Sequence, residues 1–238
     1  MSEQSEQLLL SLRPRSSIDF ASFFVDTVNA ELVHALRQWL QQARAGVFFI
    51  SGAQGSGRSH LLQAACGASP DALYLPLLDL QSEAPAALLE GLENHALLCL
   101  DDIDAVTADR DWCEALFHLF NRHVGSASAE GAGRWLVSAQ IPVAQLSCAL
   151  PDLQSRLSWG GGYRLAPLDD SGRRQMLQLH ARQRGMTLAD DVASYILQRH
   201  ARDPQALIAL LELIDRESLR NRQRVSVPFV RKLLGEFI

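Results

Sequence analysis

Val47-Phe48-Phe49-Ile50-Ser51-Gly52-Ala53-Gln54-Gly55-Ser56-Gly57-Arg58-Ser59-His60-Leu61-Leu62-Gln63-Ala64-Ala65 is the stretch whose reading decides the fold. Its opening run is apolar, β-branched and aromatic, which predicts a buried strand. The closing run is rich in Leu and Ala and free of Gly and Pro, which predicts a helix. Between them lies a loop of the Gly-x-x-x-x-Gly-Lys-Ser/Thr form, with Arg58 in the lysine place. Such a loop needs glycine because its backbone takes positive φ angles and closes its N–H groups on phosphate oxygens. The helix that follows adds unpaired N–H groups and the positive end of its dipole. The predicted phosphate cradle is Gly52, Gly55, Ser56, Gly57, Arg58, Ser59 and His60, with Arg58 reaching the terminal phosphate and Ser59 holding Mg²⁺. Glycines alone would fit a turn that binds nothing; a strand before and a helix after favour nucleotide binding.

Arg58 bears on turnover more than on binding. A broad guanidinium cannot copy a compact ammonium between two phosphates. Lys232 is, however, the only lysine among 22 basic residues, so composition by itself accounts for an arginine here. The other glycine-rich pattern, Gly-x-Gly-x-x-Gly, fails because position 60 is His.

The 238 residues suit one large domain, or a medium one with a small appendage. Hydrophobic residues at 47% and charged residues at 21% are ordinary for a globular chain with a real core. A net charge of −5 argues against general coating of nucleic acid. Cys66, Cys99, Cys113 and Cys148 lie in apolar stretches without ligand-like spacing, so they read as core residues in a reducing compartment rather than a zinc site. No apolar run approaches the ~20 residues of a membrane span, and the acidic start carries Glu3 and Glu6 rather than a cationic leader. A cytoplasmic protein is expected.

Residues 1–17 are polar apart from Gln7-Leu8-Leu9-Leu10-Ser11-Leu12. Two readings stand level on physics: an edge strand or tail folded onto its own core, or an extended peptide whose leucines enter another protein's pockets. Helical spacing over 29–45 predicts a helix with Asn29 as its cap and Gly46 as its end. Strands are predicted at 72–77, 96–100, 135–140 and 163–166, and helices at 86–92 (opened by Pro85), 109–124 and 150–159. Residues 125–133 read as a surface loop. After Pro167 strand signals stop, and four helices are predicted at 169–185, 189–201, 203–221 and 228–237. The expected fold class is therefore α/β: a P-loop parallel sheet flanked by helices, then a small all-α lid domain.

Leu97-Leu98-Cys99-Leu100 ends in Asp101-Asp102. A strand-end carboxylate at this distance after a phosphate loop is the partner such loops need for Mg²⁺. Asp101 is expected on the metal and Asp102 nearer the attacking water. Two aspartates alone would simply begin a loop; the pairing with the phosphate loop gives them meaning.

Several motifs resemble the DnaA-like branch of the AAA+ family, and within it the DnaA-homologous regulators that inactivate the initiator. They are Phe20-Ala21-Ser22-Phe23, Gly57-Arg58-Ser59-His60-Leu61-Leu62 and Phe117-His118-Leu119-Phe120-Asn121-Arg122, followed by 150–160 and 223–230. The resemblance covers nearly the whole chain, and arginine at the place of Arg58 is usual among those regulators. It implies an N-terminal clamp-binding peptide at 1–17, an AAA+ nucleotide-binding core at 18–167 and a helical lid at 168–238. It implies that Gln7, Leu8, Leu10 and Leu12 form a motif for the DNA polymerase III sliding clamp. It further implies that Arg156 is an arginine finger presented to the ATP of a neighbouring DnaA, and that Phe20 and Phe23 lie near the adenine. Gln140 falls at the first sensor, where relatives carry an acidic or other polar residue. Gln205, with Arg202 nearby, falls where a second-sensor arginine is usual. Both departures fit a protein that works with ADP bound, ATP being the other nucleotide the site admits.

The expected function is regulation of replication initiation. With the clamp on DNA, the chain stimulates hydrolysis of DnaA-bound ATP in trans and is not itself an efficient ATPase. The rival is a self-sufficient AAA+ ATPase of helicase-loader or transposition-helper type; a scaffold with a purely structural nucleotide is a third reading. No helix-turn-helix reader is present among these residues, so sequence-specific DNA binding is not expected. Self-association stays open.

Overall fold

The computed structural model describes residues 18–42, 44–125, 133–200 and 203–235. The chain divides into two units, 1–166 and 167–238. Gln7, Leu8, Leu10 and Leu12, the expected clamp peptide, lie outside the described residues, as does Arg202.

The first unit is built on five parallel strands: β1 (Gly46–Ser51), β2 (Ala72–Pro76), β3 (Leu97–Asp101), β4 (Arg134–Ala139) and β5 (Gly162–Arg164). Their order across the sheet is β2-β3-β4-β1-β5. Both faces are covered, which is why the strands read as continuous apolar runs. Val47, Phe49, Leu98, Leu100, Trp135 and Val137 point to one face. There they meet Trp112, Leu116, Leu119 and Phe120 of a helix, here α5 (Arg110–His123). Phe48, Ile50, Leu97, Cys99 and Leu136 point to the other, against α1 (Ala30–Gln41) and α2 (Arg58–Gly67). The alternation is the two-residue period of an extended chain.

Several local expectations give way to packing. The helix predicted over 29–45 stops at Gln41, and Gly46 opens β1 instead of ending a helix. Asn29 makes no capping bond; its amide is spent on the main chain at Ala166, donating to the carbonyl at 3.0 Å and accepting from the N–H at 2.8 Å. The helix predicted at 86–92 breaks into one turn, α4 (Pro85–Leu88), and a 3₁₀ turn at Leu92–Asn94. Gly91, at φ +81°, reverses the chain between them so that Leu88, Leu89 and Leu92 are all buried. A short turn, α3 (Leu77–Leu80), follows β2 with no separate sequence signal, and α6 (Pro151–Leu157) is shorter than predicted at both ends. Asp109 caps α5 by accepting from the N–H groups of Asp111 and Trp112.

The second unit holds α7 (Asp170–Gln183), α8 (Asp190–Arg199), α9 (Pro204–Asn221) and α10 (Val227–Gly235). Asp169 and Asp203 cap α7 and α9. Asp190 and Asp191 sit in the first turn of α8, where acids complement the helix dipole. No helix among the described residues is long and apolar enough to cross a membrane.

Asn29 is 3% exposed and satisfies both polar groups of one peptide position. Asn29→Ala should therefore lower the unfolding free energy by about 1–2 kcal/mol, the cost of leaving the half-buried donor and acceptor of Ala166 without their partner, read from denaturant midpoints. His123 gives a pH dependence. Its Nδ1 accepts from the Trp135 indole at 2.9 Å, and its Nε2–H donates to the His95 carbonyl at 2.6 Å, so the ring must be neutral. Burial holds its pKa below the ordinary 6.5. The unfolded chain thus takes up this proton first. Its contribution is complete above pH 6.5 and falls away as the pH drops toward the lower folded value, which denaturation at a series of pH values measures.

Candidate functional site

Register puts the predicted elements at one end of the sheet. β4 lies between β1 and β3, pairing Phe49 with Val137 and Leu100 with Val137 in turn. One residue on, Ser138 meets Asp101, and the loop after Ser51 opens beside them. β1 and β3 are not neighbours, so β4 is the ruler that aligns the acids with the phosphate loop.

The loop has the predicted geometry. Gly55 and Gly57 take φ +74° and +101°, the left-handed region that favours glycine. A Cβ on Gly57 would come within 2.9 Å of the Phe23 ring, and one on Gly52 within 2.7 Å of both the Leu165 carbonyl and the Ser56 hydroxyl. Phe23 also stands edge-on to His60, with ring centroids 5.3 Å apart. The Nε2 of His60 reaches the Asp19 carbonyl at 3.1 Å and the Ser22 hydroxyl at 3.0 Å. Since a carbonyl only accepts, that nitrogen carries the proton. Burial lowers the His60 pKa below 6.5 and keeps this tie neutral. Residues 18–23 thus strap the first turn of α2 to the preceding chain. Phe20 is half-buried, with the Arg37 guanidinium 5.1 Å from its ring centroid.

The acidic pair is divided. Asp101 is buried and both its oxygens accept from hydroxyls: Oδ2 from Tyr74 at 2.6 Å, Oδ1 from Ser138. Burial and the Asp101 charge raise the Tyr74 pKa far enough that the phenol remains a donor. Ser138 in turn accepts from the Asp102 N–H at 3.0 Å. Asp102 takes a left-handed conformation, φ +52°, which costs a non-glycine residue about 1–2 kcal/mol. That turn directs its carboxylate to Arg58, whose Nη2 lies 2.8 Å from Oδ1. The contact is an ion pair without hydrogen-bond alignment, for Oδ1 has no aligned donor. Burial and Asp101 push the Asp102 pKa up, against the pull of Arg58.

Two atoms of the loop test whether a phosphate fits. Ser56 Oγ and Arg58 Nη1 are both buried without a hydrogen-bond partner. A buried donor left unpaired costs ~1–3 kcal/mol, and an anion with several acceptor oxygens relieves both. Ser59 lies half-buried on the first turn of α2, and with Asp101 and Asp102 it makes up the candidate set for Mg²⁺. Gln140 is exposed just past β4, its N–H held by Asp104 at 3.2 Å. Gln205 is exposed in the first turn of α9, in the other unit. Sequence reasoning missed Tyr74, Ser138 and Asp104. The one signal for Ser138 was a lone hydroxyl inside an apolar strand.

Arg156 lies at the opposite end of the sheet. Its guanidinium sits 4.5 Å from the Trp159 ring centroid and 5.9 Å from that of Phe120. Phe120 packs on Trp135, which pairs with Val47. Four strand residues, roughly 13 Å, separate Val47 from Ser51 at the loop. Trp159 is 56% exposed, and Arg156 makes no ion pair among the described residues.

Comparison with known proteins agrees with this architecture. Residues 170–234 match the family model described as "Hda, lid domain". Domain III of the Thermotoga maritima replication initiation protein DnaA superposes with a TM-score of 0.75 at 20% identity, over 94% of this chain and 98% of that one. AMPPCP-bound DnaA from Aquifex aeolicus gives 0.69 at 19% identity, over 84% of this chain and 65% of that one. The Thermotoga maritima RuvB Holliday junction branch migration motor gives 0.64 at 19%, over 94% and 72%. At these identities the structures speak for the fold, while the family model speaks for the second unit. This chain thus has the fold of DnaA domain III, a parallel sheet flanked by helices, and residues 170–234 of its second unit match the Hda lid-domain model.

Proposed function

We propose that this chain holds ADP at the 52–60 loop, docks on the DNA-loaded sliding clamp through Gln7, Leu8, Leu10 and Leu12, and lends Arg156 to the ATP of a neighbouring DnaA. The partner's ATP is hydrolysed and the initiator passes to its ADP form. The observation that carries this reading is the place of Arg156. It lies at the end of the sheet remote from its own phosphate loop, above an exposed tryptophan, so its charge serves a phosphate only if another molecule brings one. The contact is heterologous, one molecule's Arg156 end against another's nucleotide end.

Arg156 would stabilise negative charge on the transferring phosphoryl group, a contribution of ~10³–10⁵ in rate when an arginine is supplied in trans. The chain's own loop would bind the phosphates through main-chain N–H groups, Ser56 and Arg58, with Ser59 beside Mg²⁺. Neither Gln140 nor the ion-paired Asp102 is a free base for activating water, which favours an activator over a self-sufficient ATPase.

Arg156→Ala should keep ADP and clamp binding while reducing clamp-dependent hydrolysis of DnaA-bound ATP to its unstimulated rate; unchanged stimulation refutes the role. Vigorous ATP turnover by the purified chain alone would favour the helicase-loader or transposition-helper reading. Replacing Gln7 and Leu10 together by Ala should abolish clamp binding, measured by surface capture of the loaded clamp, with the unfolding transition unmoved. Retained binding counts against the peptide.

A further inference from the structure

We propose that Arg58 is a built-in cation that joins Asp102 to the terminal phosphate of a bound nucleoside diphosphate, so that the diphosphate is held with little dependence on a divalent metal. The inference rests on reading the 52–60 loop as a nucleotide site. In phosphate-loop proteins generally, a divalent ion lies between the strand-end carboxylate and the phosphate oxygens, because two anions cannot approach without a positive charge between them. Here a positive charge already stands against the carboxylate, at 2.8 Å.

The two guanidinium nitrogens divide the task. Nη2 is on Asp102, while Nη1 is buried with no partner, on a side chain 6% exposed. A planar fork with five N–H donors can hold an acid and a phosphate together, as the single point of an ammonium cannot. The unpaired Ser56 hydroxyl, in the same loop, is a second group awaiting an acceptor. The neighbouring acid is turned inward: Asp101 is 3% exposed and each of its oxygens accepts from a hydroxyl of the core. Asp102 is the carboxylate left for bridging, and its left-handed backbone aims it at Arg58 rather than along the strand. Arginine at 58 thus exchanges a removable metal bridge for a covalently attached one.

Calorimetric titration of ADP into the full chain, in excess Mg²⁺ and in EDTA, tests this. The wild type should bind with affinities within about threefold of each other in the two buffers. Arg58→Lys, which shortens the reach and loses the fork, should bind about tenfold more weakly in EDTA and recover when Mg²⁺ is restored. A wild type that loses tenfold or more in EDTA overturns the bridge, as does Arg58→Lys with wild-type affinity in EDTA. If Arg58→Lys fails to fold, the wild-type comparison decides alone. Absence of ADP binding in both buffers overturns the nucleotide site and the bridge together, whereas binding in Mg²⁺ alone overturns only the bridge.

Discussion

A parallel sheet buried on both faces leaves chemistry only at its two ends, and that constraint organises the first unit. The strands spend their side chains on two apolar layers, one under α5 and one under α1 and α2. Main-chain groups inside the sheet are paired with neighbouring strands. What remains for a ligand is the end where the strands release their chains into loops, and there the phosphate loop, Asp101-Asp102 and Gln140 all emerge. The other end is left to Phe120, Trp159 and Arg156. Under the proposed function, one core serves two sites facing opposite ways. An interaction handed from one molecule to the next has this polarity, since a closed two-fold contact would bring like ends together.

The loop end is held by a chain of polar contacts that fixes charge before any ligand arrives. Tyr74 and Ser138 restrain Asp101, the N–H of Asp102 restrains Ser138, and Arg58 neutralises Asp102. Each of these groups is buried or nearly so, and inside a core an unpaired polar group is costly. The network therefore fixes the loop end, leaving Ser56 Oγ and Arg58 Nη1 as the loop atoms unspent on the protein itself. On the outer side, Phe23 seals Gly57 and His60 ties down 18–23, which is why this loop tolerates no side chain at 57.

Arg156, half-buried, shows how a charge can be oriented without an ion pair. Stacking on Trp159 orients the guanidinium without neutralising it, whereas a carboxylate partner would have spent its charge. The aromatic platform continues inward through Phe120 to Trp135 in the sheet, so the arginine's direction is set by the core. A flexible surface arginine would lose more freedom on meeting a phosphate.

The sequence by itself determined the class of fold, the phosphate loop and the acidic strand end, because each is a local pattern: continuous apolar runs between turn and helix signals, glycines at fixed spacing, a run of leucines closed by aspartates. It also placed Arg156 in a short helix, while only resemblance gave that residue a role. Tertiary structure decided the rest. Asn29 left its cap for Ala166, and the helix at 86–92 broke at Gly91 to bury three leucines, since packing outweighs local preference in so short a segment. Tyr74, Ser138 and Asp104 joined the site from strands and turns that no linear pattern connects to it. The pairing of Arg58 with Asp102 is the clearest case: 44 positions apart in the chain, the two charges meet only because β4 sets the register between their strands.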